Sequence, residues 1–294
     1  MALVAALASG CASEPAAPPE PSAPVVLTRG HPILPVVELI LGERPARVLL
    51  ATGTPKSMID HGFARAAGLV GASGRVENVR FELGPETLAV EEFLQRDLSA
   101  GRHVPIEVDA VLGFDPLSRV VFMVHGKLVS IFPSEADIPH ELEGLVAERV
   151  FVPVPFWLRR GLPIVWYDLR LPTREFESTK LEAIVRVDLF LDTGRPLVIG
   201  LPPPLTGLLE QRPPFTLAPF EFGPLSLPKV EVTPTEEMAV LGMGALRQSP
   251  VVFDGPGRRL WILAPPGYEA EAQEPVEGDD GTMELQPAVP PAAD

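Results

Sequence analysis

Thiol chemistry is almost missing from this chain: Cys11 is the one cysteine among 294 residues. That excludes a disulfide framework and a thiolate metal site. The histidines (His31, His61, His103, His125 and His140) form no H-E-x-x-H and no close pair, so neither a zinc site nor any other cofactor is expected. No G-x-S-x-G elbow and no phosphate-binding loop occurs. The apolar opening, "MALVAALASGC", is far too short to cross a bilayer. Basic residues are few, 24 against 39 acidic ones, and the net charge of −15 argues against nucleic acid or an anionic membrane surface as partner. Part of that charge lies in the tail, where the stretch from Ala264 carries acidic residues and no Lys or Arg.

What is present is apolar residue and proline. A 46% apolar content supports a sizeable core, and the length suits one large domain or two ordinary ones. The 36 prolines argue against long helices. "ASGC" resembles the bacterial lipobox, in which the cysteine is lipidated and becomes the new N-terminus. Cys11 is therefore the expected lipidation site, followed by a Pro/Ala-rich spacer, "ASEPAAPPEPSAP". The expected location is the cell envelope, with membrane contact only through that anchor.

Four blocks recur in the same order. "RGHPILPVVEL" (29–39) returns as "RGLPIVWYDL" (160–169), and "LLATG" (49–53) as "FLDTG" (190–194). "FELGPETL" (81–88) returns as "FEFGPLSL" (220–227), and "AVLGFDPL" (110–117) as "AVLGMGAL" (239–246). The offsets stay between 129 and 141 residues, the signature of a duplicated domain. Each copy alternates apolar residues around Gly- and Pro-containing turns, which predicts hairpins and an all-β fold. Copy two lengthens its first hairpin with "PTREFESTKLEA". Short helices are predicted at "DHGFARAAGL", capped by Asp60, at "DPLSRVV", and in a linker at "SEADIPHELEGLVAERV". The expected layout is a signal and spacer over 1–24, copy one over 25–133, a linker over 134–159, copy two over 160–263 and a disordered acidic tail over 264–294.

An apolar strand, D-T-G, a hairpin and a later hydrophobic-hydrophobic-Gly strand resemble the aspartic peptidases, most closely the retropepsin-like group. "FLDTG" with "AVLG" (239–242) fits in copy two, and "LLATG" with "AVLG" (110–113) fits in copy one except at Ala51. The resemblance covers roughly 29–132 and 160–263. It implies a two-lobed acid-protease fold, with two β-barrels facing across a cleft, and a peptide or protein ligand in that cleft. It implies catalytic positions at Asp192, Thr193 and Gly194, with a degenerate counterpart at Ala51, Thr52 and Gly53. It also implies that the two threonines bond across the halves. No residue of the sequence by itself indicates substrate specificity.

Hydrolysis of a peptide without a metal or nucleophilic side chain needs a base to activate water and an acid for the carbonyl oxygen. Two facing carboxylates sharing a proton supply both. Here one is absent, which predicts a peptide-binding pseudoprotease. Arg195, after D-T-G, should favour the ionised form of Asp192 and crowd the water position. In the plainer structural reading, Asp192 caps a turn and pairs with Arg195. An active enzyme remains open as the alternative, its dyad formed by Asp192 of two chains. Tethering favours internal pairing and a monomer, because linked halves meet at about millimolar effective concentration. Asp115 reads as a turn or helix cap. Trp157, Trp166 and Trp261 read as core, and Arg258 and Arg259 as decoration on a hairpin.

Overall fold

The computed structural model describes residues 25–268 apart from 29–30, 70–73, 100–103, 127, 135, 144–148, 171–173, 177–178, 182–183, 210–213 and 218. Cys11 and the spacer lie outside the described residues, as does the tail from 269. The chain is mostly β, and the predicted hairpins are present. The first turns through Gly42 and Glu43, both in the left-handed region (φ +55° and +66°), with Leu41 opposite Arg44. A two-residue turn of that hand matches the twist of the strands it joins. A side chain at Gly42 would meet the Ala67 carbonyl and Leu69 at under 3 Å, so only glycine fits.

The duplication is written in the sheets. In the first half the order is Val36–Leu41, Arg44–Leu50, Ala110–Leu112, Met58–Asp60, Glu86–Arg96, Arg75–Leu83. In the second, Leu162–Arg170, Ile184–Asp192, Ala239–Gly242, Ile199–Leu201, Val230–Pro234 and Phe215–Leu217 repeat it, with Trp157–Arg159 added at the edge. Directions repeat as well. The strand ending in A-T-G runs parallel to the first A-V-L-G strand, and the strand ending in Asp192 runs parallel to the second. One difference follows from proline. The first half's Gly84-Pro85 hairpin has two long continuous strands, whereas its counterpart is broken into Phe215–Leu217, Phe220–Phe222, Leu225–Leu227 and Val230–Pro234. Pro219 and Pro228 fall in the breaks, where a missing N–H interrupts the ladder. The lengthened hairpin of copy two forms its own two-stranded sheet, Arg174–Phe176 with Thr179–Leu181.

A third sheet joins the halves. Its order is Val25–Thr28, Leu128–Phe132, Val121–His125, Val251–Asp254, Arg259–Leu263, Phe151–Pro155, antiparallel throughout and with three strands from each half. The halves meet where Val121 pairs with Asp254 and Val124 with Val251. On one face Phe122, Phe253 and Phe156 stack, with ring centroids 5.3 and 5.1 Å apart, within a core shared by both halves. On the other face Val121, Met123, Val252 and Trp261 meet Ile138 and Leu142 of the helix Ile138–Glu143. That helix sits inside the expected linker helix.

Two boundaries move. Residues 151–159 are not linker: Phe151–Pro155 is the outer strand of the joining sheet, and Trp157–Arg159 pairs with Leu162–Arg170. Pro153 and Pro155 alternate along an edge strand, so their missing N–H groups face away from the single neighbour. The folded part also runs past the expected break at Ala264. Ala264 is buried, its N–H donates to the Val150 carbonyl, and its carbonyl accepts from Arg149 Nε.

Candidate functional site

The two T-G turns face each other at the end of the paired motif strands, and each threonine is held by the other half. Thr52 Oγ1 donates to the Leu191 carbonyl at 2.7 Å, and Thr193 Oγ1 donates to the Leu50 carbonyl at 2.7 Å. Thr193 N–H donates to Thr52 Oγ1 at 3.1 Å, and Thr52 N–H donates to Thr193 Oγ1 at 3.1 Å. Equal distances in both directions make a local two-fold axis. Both threonines are buried, and both hydroxyls are used as donor and acceptor, so no polar atom here is left costly and unpaired.

The residues flanking each threonine pack across the same axis. A side chain at Gly53 would lie 2.1 Å from Asp192 Cγ, and one at Gly194 would lie 2.8 Å from Ala51 Cβ. Each glycine thus gives the opposite side chain its space. The structure brings all six residues singled out in the sequence (Ala51, Thr52, Gly53, Asp192, Thr193 and Gly194) into one constellation. A cavity of about 550 Å³ opens over it, lined among others by Ala51, Gly53, Asp192, Gly194 and Arg195.

The second half's A-V-L-G glycine is required by threading. A Cβ on Gly242 would sit 2.4 Å from the Leu197 carbonyl oxygen, and one on Gly113 2.6 Å from the Lys56 carbonyl carbon. In both halves the loop after the T-G turn passes directly over this glycine. The loop is latched by a main-chain bond from Phe114 N–H to Thr54 O at 2.7 Å, and from Met243 N–H to Arg195 O at 2.8 Å.

Asp192 is the only charged group among these six. Its Oδ1 accepts from Gly194 N–H at 2.9 Å, and its Oδ2 from Arg195 Nε at 3.2 Å, as in the turn-capping reading. Arg195 does favour the ionised form of Asp192, as expected, but it is not the largest influence on that carboxyl. Burial raises the Asp192 carboxyl above the ordinary aspartate range, and outweighs the downward pull of Arg195 and of the Gly194 and Gly53 amides. The physical reason is asymmetry of exposure: the Asp192 side chain is 12% exposed and the Arg195 side chain 52%, so water screens the cation more than it solvates the acid.

Asp115 is not a cap. The short helix Phe114–Leu117 begins at Gly113 without a side-chain cap, and Asp115 Oδ1 instead accepts from Ser57 Oγ at 2.8 Å. Ser57 Oγ in turn accepts from Gly113 N–H at 3.1 Å. Burial also raises the Asp115 carboxyl. Sequence reading missed Ser57; its only signal was its place shortly after the T-G turn of the copy that carries Asp115. In the second half, where Gly244 replaces Asp115, the Val198 carbonyl accepts the Gly242 N–H at 3.1 Å. The core reading of the tryptophans holds for Trp261, which is buried, and in part for Trp157, which is half-exposed but packs against the core, and not for Trp166. Trp157 and Trp166, both half-exposed, stack on each other at the surface of the added edge strand.

Chemically, the constellation offers one carboxyl and one guanidinium beside it, with a methyl group where a second carboxyl would complete a dyad. Among the described residues no group of three His, Cys, Asp or Glu could hold a metal ion, and no helix is long and apolar enough to cross a membrane. No family model matches the chain, and no curated protein matches it.

Proposed function

We propose that the chain is a two-lobed protein of the aspartic-peptidase architecture, built from two retropepsin-like halves, that has lost hydrolysis and keeps the cleft between them as a binding site for an extended peptide. The observation that carries this reading is the reciprocal Thr52–Thr193 exchange closing around Ala51 and Asp192. Because that exchange sets Ala51 and Asp192 side by side, position 51 is under this proposal the place of a former acid or base rather than of a structural prop. With a single carboxyl, ionised it can serve as base, and protonated as acid, but no state supplies both. The alternative, an active dyad from Asp192 of two chains, is disfavoured because both threonines are already satisfied within one chain. A second copy would have to break that exchange to bring its own Asp192 opposite the first.

The test is restoration. Ala51→Asp with Arg195→Ser returns the second carboxyl and clears the guanidinium, and the double variant should cleave denatured protein at acid pH. Neither Ala51→Asp nor Arg195→Ser alone should match it. A double variant that is folded, binds extended peptides and yet cleaves nothing would remove the peptidase ancestry from the account. The same proposal tethers the protein to the cell envelope through Cys11, and Cys11→Ser should release it from the membrane fraction.

A further inference from the structure

A second cavity, of about 910 Å³, shares no lining residue with the one over Asp192. It lies in the second half, beside the edge strand Trp157–Arg159 and the outer strand Phe151–Pro155. The indoles of Trp157 and Trp166 stack with centroids 4.2 Å apart and planes inclined by 18°. The Arg186 guanidinium lies 5.5 Å over Trp166 and is fixed by Asp168 through bonds of 2.9 and 3.3 Å. The result is a rigid aromatic platform with Pro153 and Pro155 beside it. At its rim Arg170 and Arg259 make no ion pair among the described residues, in a chain whose net charge is −15. Fixed indoles suit prolyl rings, whose extended helix is ordered before binding. Arginines without a carboxylate partner among the described residues, Arg259 resting 5.9 Å over the Trp261 ring, suit incoming carboxylates.

We propose that this groove is a docking site for the chain's own segment 269–294, engaged through its proline-rich part with its acids against Arg170 and Arg259. The segment's acids are complementary to the two rim arginines, while of the groove's own acids Asp168 is paired with Arg186 and Glu221 lies on the lining. It holds eight acidic residues and no Lys or Arg. "QPAVPPA" (286–292) spaces Pro287 and Pro290 three apart in sequence, the spacing that a three-residue-per-turn polyproline ligand presents to an aromatic groove. The stretch from Tyr268 to Pro287 can span roughly 60 Å when extended, and it leaves from the strand Arg259–Leu263 whose first residue lines the groove. An intramolecular segment sees its site at about millimolar effective concentration, so weak contacts suffice.

Tryptophan emission makes the test direct, because Trp157 and Trp166 are half-exposed at the groove, while Trp261 is buried beneath the rim arginine Arg259 and adds a quencher-inaccessible background. Acrylamide quenching of tryptophan emission is measured on the full chain and on three full-length variants. The first changes Pro287, Pro290 and Pro291 to Ser, the second changes the tail acids to Gln, and the third combines Arg170→Glu with Arg259→Glu. The wild-type chain should be shielded, and each variant should lose that shielding, as should the wild type in molar salt. A synthetic peptide of residues 284–294 should restore shielding to the proline variant in a saturable way, and should fail with the arginine variant. Equal quenching of all four proteins would overturn the proposal. Shielding that grows with protein concentration would also overturn it, because the segment would then come from a second copy. A saturable peptide effect on a wild-type chain that is itself unshielded would overturn docking in cis and leave the groove to a proline-rich partner.

Discussion

The two halves present the same backbone around their paired T-G turns and differ in what hangs from it. In the first half the motif strand ends in a methyl group, Ala51, and the loop after it is braced by side chains, Ser57 to Asp115 and Gly113 N–H to Ser57. In the second half the strand ends in a carboxyl, Asp192, and the loop is braced by main chain alone, Gly242 N–H to Val198 O and Gly244 N–H to Leu197 O at 2.9 Å. The threonines, the glycines and the parallel strand pairs are the same on both sides. Residues that hold the halves together are therefore present twice, and the residue that would do chemistry is present once. That is the pattern expected under the proposed loss of hydrolysis with retention of binding.

The largest expected effects fall on what the halves share. Gly113→Ala and Gly242→Ala each push a Cβ to within 2.6 Å of main chain, which cannot yield as a flexible side chain could. Each should lose about 3 kcal/mol or more of stability, in the upper range for overpacking, measured by urea unfolding. If one half tolerates the change, the two loops do not thread alike. Next come Thr52→Ala and Thr193→Ala. Each strands a buried carbonyl and a buried N–H in the opposite half, and should cost about 2 kcal/mol. The double variant should cost less than the sum, because the two hydroxyls act on one another. Strict additivity would mean that the exchange is not a unit.

Smaller effects fall on what the halves do not share. Ser57→Ala leaves Gly113 N–H and the Asp115 carboxyl without their partner and should cost about 1 kcal/mol. Val198→Ala, at the corresponding place, should leave the loop latch intact because its bond is made by main chain. The smallest effect is the pH response of Asp192. Its carboxyl is raised in the folded protein, so the folded state holds a proton that the unfolded chain has already released. Stability contributed by that group is therefore lost as pH rises from the ordinary aspartate value through the folded one, and regained on acidification. Asp115 acts in the same direction. Asp192→Asn should flatten this part of the pH dependence and leave the neutral protein no less stable, read as thermal midpoint against pH.

Much of this is legible in the sequence alone, because the decisive features are local. The paired D/A-T-G and A-V-L-G blocks located the constellation, and Asp60 capped its helix through Gly62 and Phe63 N–H as expected. What escaped depended on tertiary placement. "FVPVPFW" falls in the expected linker range because it lies between the two repeated blocks, yet Phe151–Pro155 is an edge strand, where one neighbour leaves room for alternate prolines. The Ser57–Asp115 bond joins residues far apart in sequence. The sign of the Asp192 shift turns on the contrast between a buried acid and a half-exposed arginine, which no spacing encodes. Trp157 and Trp166 lie in apolar runs, and only the pairing of the Trp157–Arg159 strand with Leu162–Arg170 stacks them at the surface.

The central claim is that one carboxyl cannot do the work of two. The most direct measurement is cleavage of a denatured protein substrate by the wild-type chain from about pH 3 to 8, the range over which carboxyl groups titrate, with Asp192→Asn run beside it. The account predicts no difference between the two proteins at any pH, since a lost general acid–base partner is worth about 10²- to 10⁴-fold. Cleavage by the wild type that disappears in Asp192→Asn would contradict it, and would return the active two-chain dyad to first place.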